Sequence, residues 1–360
     1  MHNKGMTKNE MDALAIVARN RQLTKKEVLA LHEAARRNIN DIERKVLNML
    51  AHESLKDNLS VEKGIPEEAI YKKMKEIKKS GIDLLSNNLK EADVWSHMLP
   101  RKFLDNIEYH VVDHCNLKCA ACGHFSNIAE DCFANLEKFR SDYKRFVKVM
   151  GDKLKGIILM GGEPLLHPSI EQFVTSAHQL FPDGTIDMFT NGILLKKMPE
   201  SFWKNCATCG VKLIISIYPL NLDIEEIKNL AVNHGVNIQI ASRLEDNWVY
   251  GSLDLSGKQN IIKSFILCSQ ANNCHQLKDG KIFPCSTAAY IEHFNKAFGV
   301  SLSQTDKDSL DIFRDDIEAQ DVLNFLSQPV PFCRYCSRDK FTLASWRASN
   351  HTINEWLDAQ

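Results

Sequence analysis

No surplus of either charge marks this chain: 45 Lys and Arg stand against 46 Asp and Glu, a formal net charge of -1 over 360 residues. Nucleic-acid binding leaves a basic excess on one face, so this balance excludes it as a partner. Long apolar runs are missing as well. The longest, Gly156–Met160 and Val211–Pro219, fall far short of the roughly 20 residues that span a bilayer, which excludes a membrane partner. The opening stretch, MHNKGMTKNEMDAL, lacks the apolar centre of a secretory signal, and a cytoplasmic protein is expected. Internal repeats and low-complexity segments are absent too. What remains is a globular composition, 44% apolar and 25% charged, with eleven cysteines. In a cytosolic chain disulfides rarely persist, and an odd count does not suit a disulfide framework. Metal ligation, catalysis or plain burial are left as uses for these thiols.

The texture along the chain predicts three parts. Residues 1–98 read as a helical segment. Thr24 to Glu27 is a capping box, and Ile39, Ile42, Val46 and Leu50 recur at helical spacing. Pro66 opens a further helix carrying Ile70, Met74 and Ile77, which stops at Gly81. Leu59–Leu85 faintly resembles a helix-turn-helix with a wing, whereas the plainer reading is a helical cap. Over 99–265 short apolar strands alternate with amphipathic helices. Strands are expected at 107–112, 156–159, 186–189, 213–217 and 237–240, with helices at 135–150, 168–181, 194–204 and 223–234. That alternation predicts an α/β fold, a partial (β/α)6 TIM-like barrel whose chemistry sits at the C-terminal strand ends. Residues 266–360 form a small C-terminal domain, with a hairpin expected between Cys274 and Cys285 around Asp279-Gly280.

Just past the first strand, CNLKCAAC places Cys115, Cys119 and Cys122 at C-x3-C-x2-C spacing. Soft thiolates on one loop suit an iron–sulfur cluster, and three of them leave one of four irons open to another ligand. Buried free thiols are the bland alternative. A zinc site is the other, completed by His110, His114 or His124.

This loop resembles the radical S-adenosylmethionine superfamily. The resemblance extends to Gly161-Gly162-Glu163-Pro164 after the second strand, where the family meets the amino group of the cofactor's methionine. Glycines permit close backbone approach, and carbonyls with Glu163 can accept an ammonium's protons. By the same resemblance Asn191 and Ser216, at the ends of the third and fourth strands, lie near the cofactor's ribose or carboxylate, and Arg243 pairs with that carboxylate. Many members carry an aromatic residue before the third cysteine. Here that position is Ala121, so Phe125 or His124 is expected to contact the adenine. The family implies a SAM-binding 4Fe–4S cluster, S-adenosylmethionine, cleavage to a 5′-deoxyadenosyl radical, and an electron donor such as flavodoxin or ferredoxin.

Five cysteines follow the barrel: Cys268, Cys274, Cys285, Cys333 and Cys336. Their spacing around Gly280 resembles the twitch domain of some radical enzymes, implying a second auxiliary 4Fe–4S cluster. Four thiolates complete it, with either Cys268 or Cys274 as the first ligand; a SPASM domain needs more cysteines. A zinc ribbon is the chemical alternative. Cys132, Cys206 and Cys209 read as buried thiols. The resemblance favours an oxidoreductase acting on a small polar substrate, a sugar, cyclitol or nucleotide. A peptide substrate gripped by residues 1–98 is a second reading, and a non-catalytic iron–sulfur or zinc protein a third.

Overall fold

The computed structural model describes residues 97–243 and 248–357, with the backbone alone for Ser242 and Arg243. The helical reading of residues 1–96 lies outside the described residues. The chain divides into a unit of Met1–Leu99 and a unit of Pro100–Gln360, and the second carries everything that follows.

Five parallel strands build the sheet in the order they are made. They are β1 (Ile107–Val112), β2 (Gly156–Gly161), β3 (Thr185–Thr190), β4 (Lys212–Ile217) and β5 (Asn237–Arg243). Each is joined to the next by a helix: α1 (Leu136–Met150), α2 (Ile170–Leu180), α3 (Glu200–Thr208) and α4 (Ile224–Asn233). Asn135 caps α1 by accepting from Lys138 N at 2.9 Å, and Asp223 caps α4 from Glu226 N at 2.9 Å. The α3 pattern begins later than its sequence suggests. Leu195–Lys197 forms a single 3-10 turn, and Pro199 separates it from the helix.

Strand side chains alternate between faces, and the two faces differ in kind. One face, with Ile107, Tyr109, Val111, Ile157, Leu159, Met188 and Leu213, packs on Phe139, Tyr143, Phe146, Phe173 and Trp203 of the helices as the main core. The opposite face carries Glu108, Ile158, Met160, Phe189 and Ser216, and these line a cavity. A polar or loosely packed inner face is what frees room for a ligand.

The sixth parallel strand comes from the tail. Gln276–Lys278 (β7) pairs with β1 rather than β5, then turns into Lys281–Phe283 (β8) and on to Leu310–Asp311 (β9). The sheet stays open, in the order β5-β4-β3-β2-β1-β7-β8-β9, and a two-residue turn at Asp279-Gly280, both at positive φ, makes the hairpin. Gly280 N donates to the buried Asp142 of α1 at 2.9 Å, which fixes the hairpin against the barrel. A short strand β6 (Trp248–Tyr250) pairs with β10 (Thr342–Ala344) apart from this sheet. Helices α5 (Ile261–Ile266), α6 (Ser286–Phe298) and α7 (Ala319–Leu326) complete the tail. A second core joins Phe283, Tyr290, Phe294, Phe332 and Trp356 to Ala121 and Phe125 of the cysteine loop. Among the described residues no helix is long and apolar enough to cross a membrane.

Candidate active site

The loop after β1 is held by its own hydrogen bonds, Cys115 N to Ser126 O at 3.2 Å and Phe125 N to Cys122 O at 3.0 Å, and by the tail. Ala120 N donates to Arg347 O at 3.1 Å, Ser349 N to Lys118 O at 2.8 Å and Trp356 Nε1 to Cys122 O at 3.0 Å. Loop and tail backbone together set where Cys115, Cys119 and Cys122 stand, and all three border one cavity of about 470 Å3. Burial pushes the Cys115 thiol up to about 12 and raises Cys119 and Cys122 as well. Against that cost, Leu117 N donates to Cys115 Sγ at 3.3 Å. Backbone N–H groups of His124, Ser126, Asn127 and Phe125 favour the Cys122 thiolate. A cationic iron–sulfur cluster in this cavity would offset the cost of three buried thiolates.

The surroundings fit a bound cluster and cofactor. Ser126 Oγ and both side-chain polar atoms of Asn127 are buried without a partner among the described residues, beside Cys122. Buried polar atoms are rarely left so, and a ligand in the cavity, which Ser126 lines, would engage its hydroxyl. Gly161 and Gly162 let the end of β2 touch the cysteine loop. A Cβ on Gly161 would lie 1.9 Å from Val112 O, and one on Gly162 1.9 Å from His114 O. Asn191 and Ser216 also line the cavity, and Asn191 Nδ2 donates to Asn116 Oδ1 at 2.8 Å on the cysteine loop.

Two expected contacts differ. Glu163 is wholly buried and does not line the cavity. Its carboxylate accepts from Thr190 Oγ1 at 2.7 Å, Asn191 N at 2.9 Å and Leu165 N at 3.1 Å, tying the end of β2 to that of β3. With both oxygens engaged, the GGEP segment offers the cavity Gly161 and Gly162, while Glu163 holds them in place. Phe125 points away into the tail core, where it meets Phe294 and Trp356, because its positive φ turns the side chain from the cavity. His124 lines the cavity instead, hydrogen-bonded through Nδ1 to His110 Nε2 at 2.8 Å. Burial, then His110, pulls His124 down to about 3, so it stays neutral. Arg243 pairs its backbone with Ile217 at the cavity side of β5, and its side chain lies outside the described residues.

Several cavity residues went unread in the sequence. Tyr218 and Trp248 stand at its wall, and Trp248 Nε1 donates to Ala120 O at 2.5 Å. Glu108 is the more telling omission. It is 7% exposed, lies in the cavity beside Cys274, and bonds to the Gln276 amide. Burial pushes its carboxyl up to about 7 despite the Gln276 and Cys274 hydrogen bonds. One signal was available: Glu108 shares a strand face with His110, an odd polar pair in an otherwise apolar strand.

Cys268, Cys285, Cys333 and Cys336 act on one another's ionisation, and Cys268 acts on Cys274 as well, which borders the cavity with the cysteine loop and Glu108. Burial raises Cys285, Cys333 and Cys336, and neighbouring thiols add to the rise in Cys285 and Cys333. Among the described residues no three of His, Cys, Asp and Glu close on a single metal ion. The donor set of four thiols suits a wider cluster. Cys206 and Cys209 are buried as expected, in the main core on α3 and its C-terminal cap, whereas Cys132, expected to be buried, is exposed on the loop before α1.

Known proteins place this arrangement. Residues 108–223 match the model of a 4Fe-4S single cluster domain, a span that contains the cysteine loop and β1 to β4. GTP 3′,8-cyclase of Helicobacter pylori strain HPAG1 is 31% identical over 105 residues, covering 29% of this chain and 32% of that protein. GTP 3′,8-cyclase of Clostridium botulinum strain Langeland is 25% identical over 262 residues, covering 66% of this chain and 78% of that one. The chain spans about a third of the Helicobacter relatives it matches. Among solved structures, BtrN in complex with AdoMet and 2-DOIA aligns with a TM-score of 0.39 at 15% identity, covering 66% of this chain and 94% of BtrN. The matches support a radical S-adenosylmethionine enzyme, with a 4Fe–4S cluster and S-adenosylmethionine as cofactors.

Proposed function

We propose that this protein is a radical enzyme that oxidises a small polar molecule, a sugar, cyclitol or nucleotide, with Cys115, Cys119 and Cys122 holding the cluster that binds S-adenosylmethionine. The observation that carries the reading is the shared cavity of those three thiols with Gly161, Gly162, Asn191 and Ser216. When bound, the cluster and cofactor supply a 5′-deoxyadenosyl radical, started by one electron from a small donor such as flavodoxin or ferredoxin. The chain's own part is placement and exclusion. Gly161 and Gly162, in the cavity wall, let β2 lie against β1 and the cysteine loop, and Glu163 keeps that segment against β3. Asn191 fixes the cysteine loop to the end of β3 while standing in the cavity wall. Tyr218, Trp248 and Phe189 close the walls with aromatic surface, keeping water from a reactive carbon centre.

A small substrate is supported by the cavity, whose volume lies in the ordinary range for small-molecule sites. GTP is the molecule in the names of the curated relatives, which supports a polar, nucleotide-like class. Oxidation is supported by the four gathered tail thiols, which in this reading hold an auxiliary 4Fe–4S cluster as electron acceptor. Loss of one hydrogen atom, one proton and one electron from a carbinol carbon gives the carbonyl. Glu108, poised at about 7 in the cavity, has the affinity to take such a proton. The test is a single turnover of anaerobically reconstituted, reduced protein with a panel of cyclitols, sugars and nucleotides. The reading expects 5′-deoxyadenosine and a product two electrons more oxidised; conversion without net oxidation refutes the oxidative part. Activity only on a peptide that binds residues 1–98 refutes the small-molecule part.

A further inference from the structure

Among the described residues His124 is the one histidine that lines the cavity, and a chain of hydrogen bonds runs from it into the tail. Its Nδ1 meets His110 Nε2 at 2.8 Å, His110 Nδ1 meets Asp113 Oδ1 at 3.1 Å, and Asp113 Oδ2 meets His293 Nε2 of α6 at 3.1 Å. Tyr290 stacks on His110 with ring centroids 3.7 Å apart and planes at 8°, which fixes the orientation of that ring. Burial pulls His110 down as it does His124, so each ring carries a single N–H. Where the protons lie then follows from one end of the chain. A carboxylate only accepts, so His110 donates to Asp113 through Nδ1–H and its Nε2 is bare. His124 must donate to that bare nitrogen through Nδ1–H, which leaves its own Nε2 bare. With Nδ1 turned to His110, Nε2 is the nitrogen that His124 brings to the cavity, and it has no hydrogen-bond partner among the described residues.

We propose that Asp113 is a positioning residue that acts through His110 to present His124 Nε2 to the cavity as a hydrogen-bond acceptor for an N–H or O–H group of the bound cofactor or substrate. The inference rests on the cavity as the cofactor and substrate site, and not on the oxidative reading. Two histidines in contact do not by themselves determine which of them donates. Asp113 determines it, and His293 takes its second oxygen, so α6 holds the carboxylate in place beside β1. The role needs no proton transfer, only a fixed direction along the chain. That direction makes this part of the wall selective. A ligand offering a donor gains a hydrogen bond, whereas one offering an acceptor meets a second lone pair and leaves both groups unsatisfied. The adenine amino group of S-adenosylmethionine and the hydroxyls of a polar substrate share the required donor chemistry.

The experiment is neutron diffraction from crystals of full-length, anaerobically reconstituted protein exchanged into heavy water, paired with calorimetry and steady-state kinetics. Deuterium on Nδ1 of both His110 and His124, and on Nε2 of neither, is the expected result; deuterium on His124 Nε2 overturns the inference. Iron and sulfide are measured on each sample. Asp113→Ala frees the chain to reverse, so deuterium is expected on His124 Nε2, and an unchanged pattern at full iron content overturns the role of Asp113. Should Asp113→Ala lose its iron, the wild type decides: deuterium on His110 Nδ1 supports the role, and its absence overturns it. His124→Phe keeps a ring and loses the acceptor. S-adenosylmethionine binding weakened by about threefold or more makes the cofactor the donor. Unchanged binding, with KM for the cyclitol, sugar or nucleotide turned over raised by about threefold or more at constant kcat, makes the substrate the donor. Neither change in His124→Phe overturns the acceptor role. A wild type that binds no S-adenosylmethionine refutes the cofactor reading instead, and the deuterium positions still test the chain of hydrogen bonds.

Discussion

Replacing Glu108 by glutamine should stabilise the iron-free chain most at alkaline pH and progressively less as pH falls toward 4.5. Glu108 is 7% exposed, and burial raises its carboxyl from 4.5 to about 7. For an acid the sign is fixed by linkage. The unfolded chain ionises it freely near 4.5, whereas the folded one holds its proton until about 7, so stability falls as pH rises between those values. At 1.36 kcal/mol per tenfold in proton affinity the full gap is worth about 3 kcal/mol, of which about 2 kcal/mol falls between roughly pH 5.5 and 8. Glutamine has no charge to bury, and its carbonyl can still accept from the Gln276 amide. Urea unfolding of both proteins at the two pH values measures the difference directly, because the neutral buried histidines contribute equally to each. The variant should gain about 2 kcal/mol on the wild type over this interval. Parallel pH profiles would refute the account of Glu108 as a carboxyl kept protonated by burial.

Glu163→Ala strands three donors, Thr190 Oγ1, Asn191 N and Leu165 N, in a buried site. It should cost about 3 kcal/mol in thermal or urea unfolding and weaken S-adenosylmethionine binding by calorimetry. Gly162→Ala drives a Cβ to 1.9 Å from His114 O, so iron bound at the cysteine loop should be lost. Gly210→Ala, also at positive φ but with open space around it, should cost about 1 kcal/mol with full iron content. Asp142→Asn removes the charge that accepts from Gly280 N and pairs with Lys138 at 3.0 Å; it should cost about 2 kcal/mol and speed amide exchange at Gly280. Cys206→Ala should leave iron and sulfide unchanged, because that thiol is packed in the main core.

Much of the barrel was legible because its signals are local. Ile107–Val112 is the strand its sequence predicts, and β2 to β5 extend their expected ranges by a few residues. The hairpin at Asp279-Gly280 was readable from turn chemistry alone. What stayed hidden depends on contacts between distant segments. That β7 pairs with β1 rather than β5 follows from the tail crossing the sheet, which no period in the sequence encodes. Phe125 was expected at the cofactor, yet it anchors a core completed by Trp356, more than 200 residues away. Glu163 could not be read as a clamp, since its three donors come from its own turn and from the next strand. The choice between Cys268 and Cys274 was open in spacing. Cys274 stands beside Glu108 in the cavity, while Cys268 acts both on Cys274 and on the other tail thiols.

The most direct measurement is iron and acid-labile sulfide per chain, in wild type and in the Cys115→Ala, Cys119→Ala, Cys122→Ala variant, both reconstituted without oxygen. About eight irons in the wild type and about four in the variant, with loss of 5′-deoxyadenosine formation, is the predicted result. Equal iron in the two proteins, or zinc in place of iron in the wild type, would contradict the assignment of the cluster to these three cysteines.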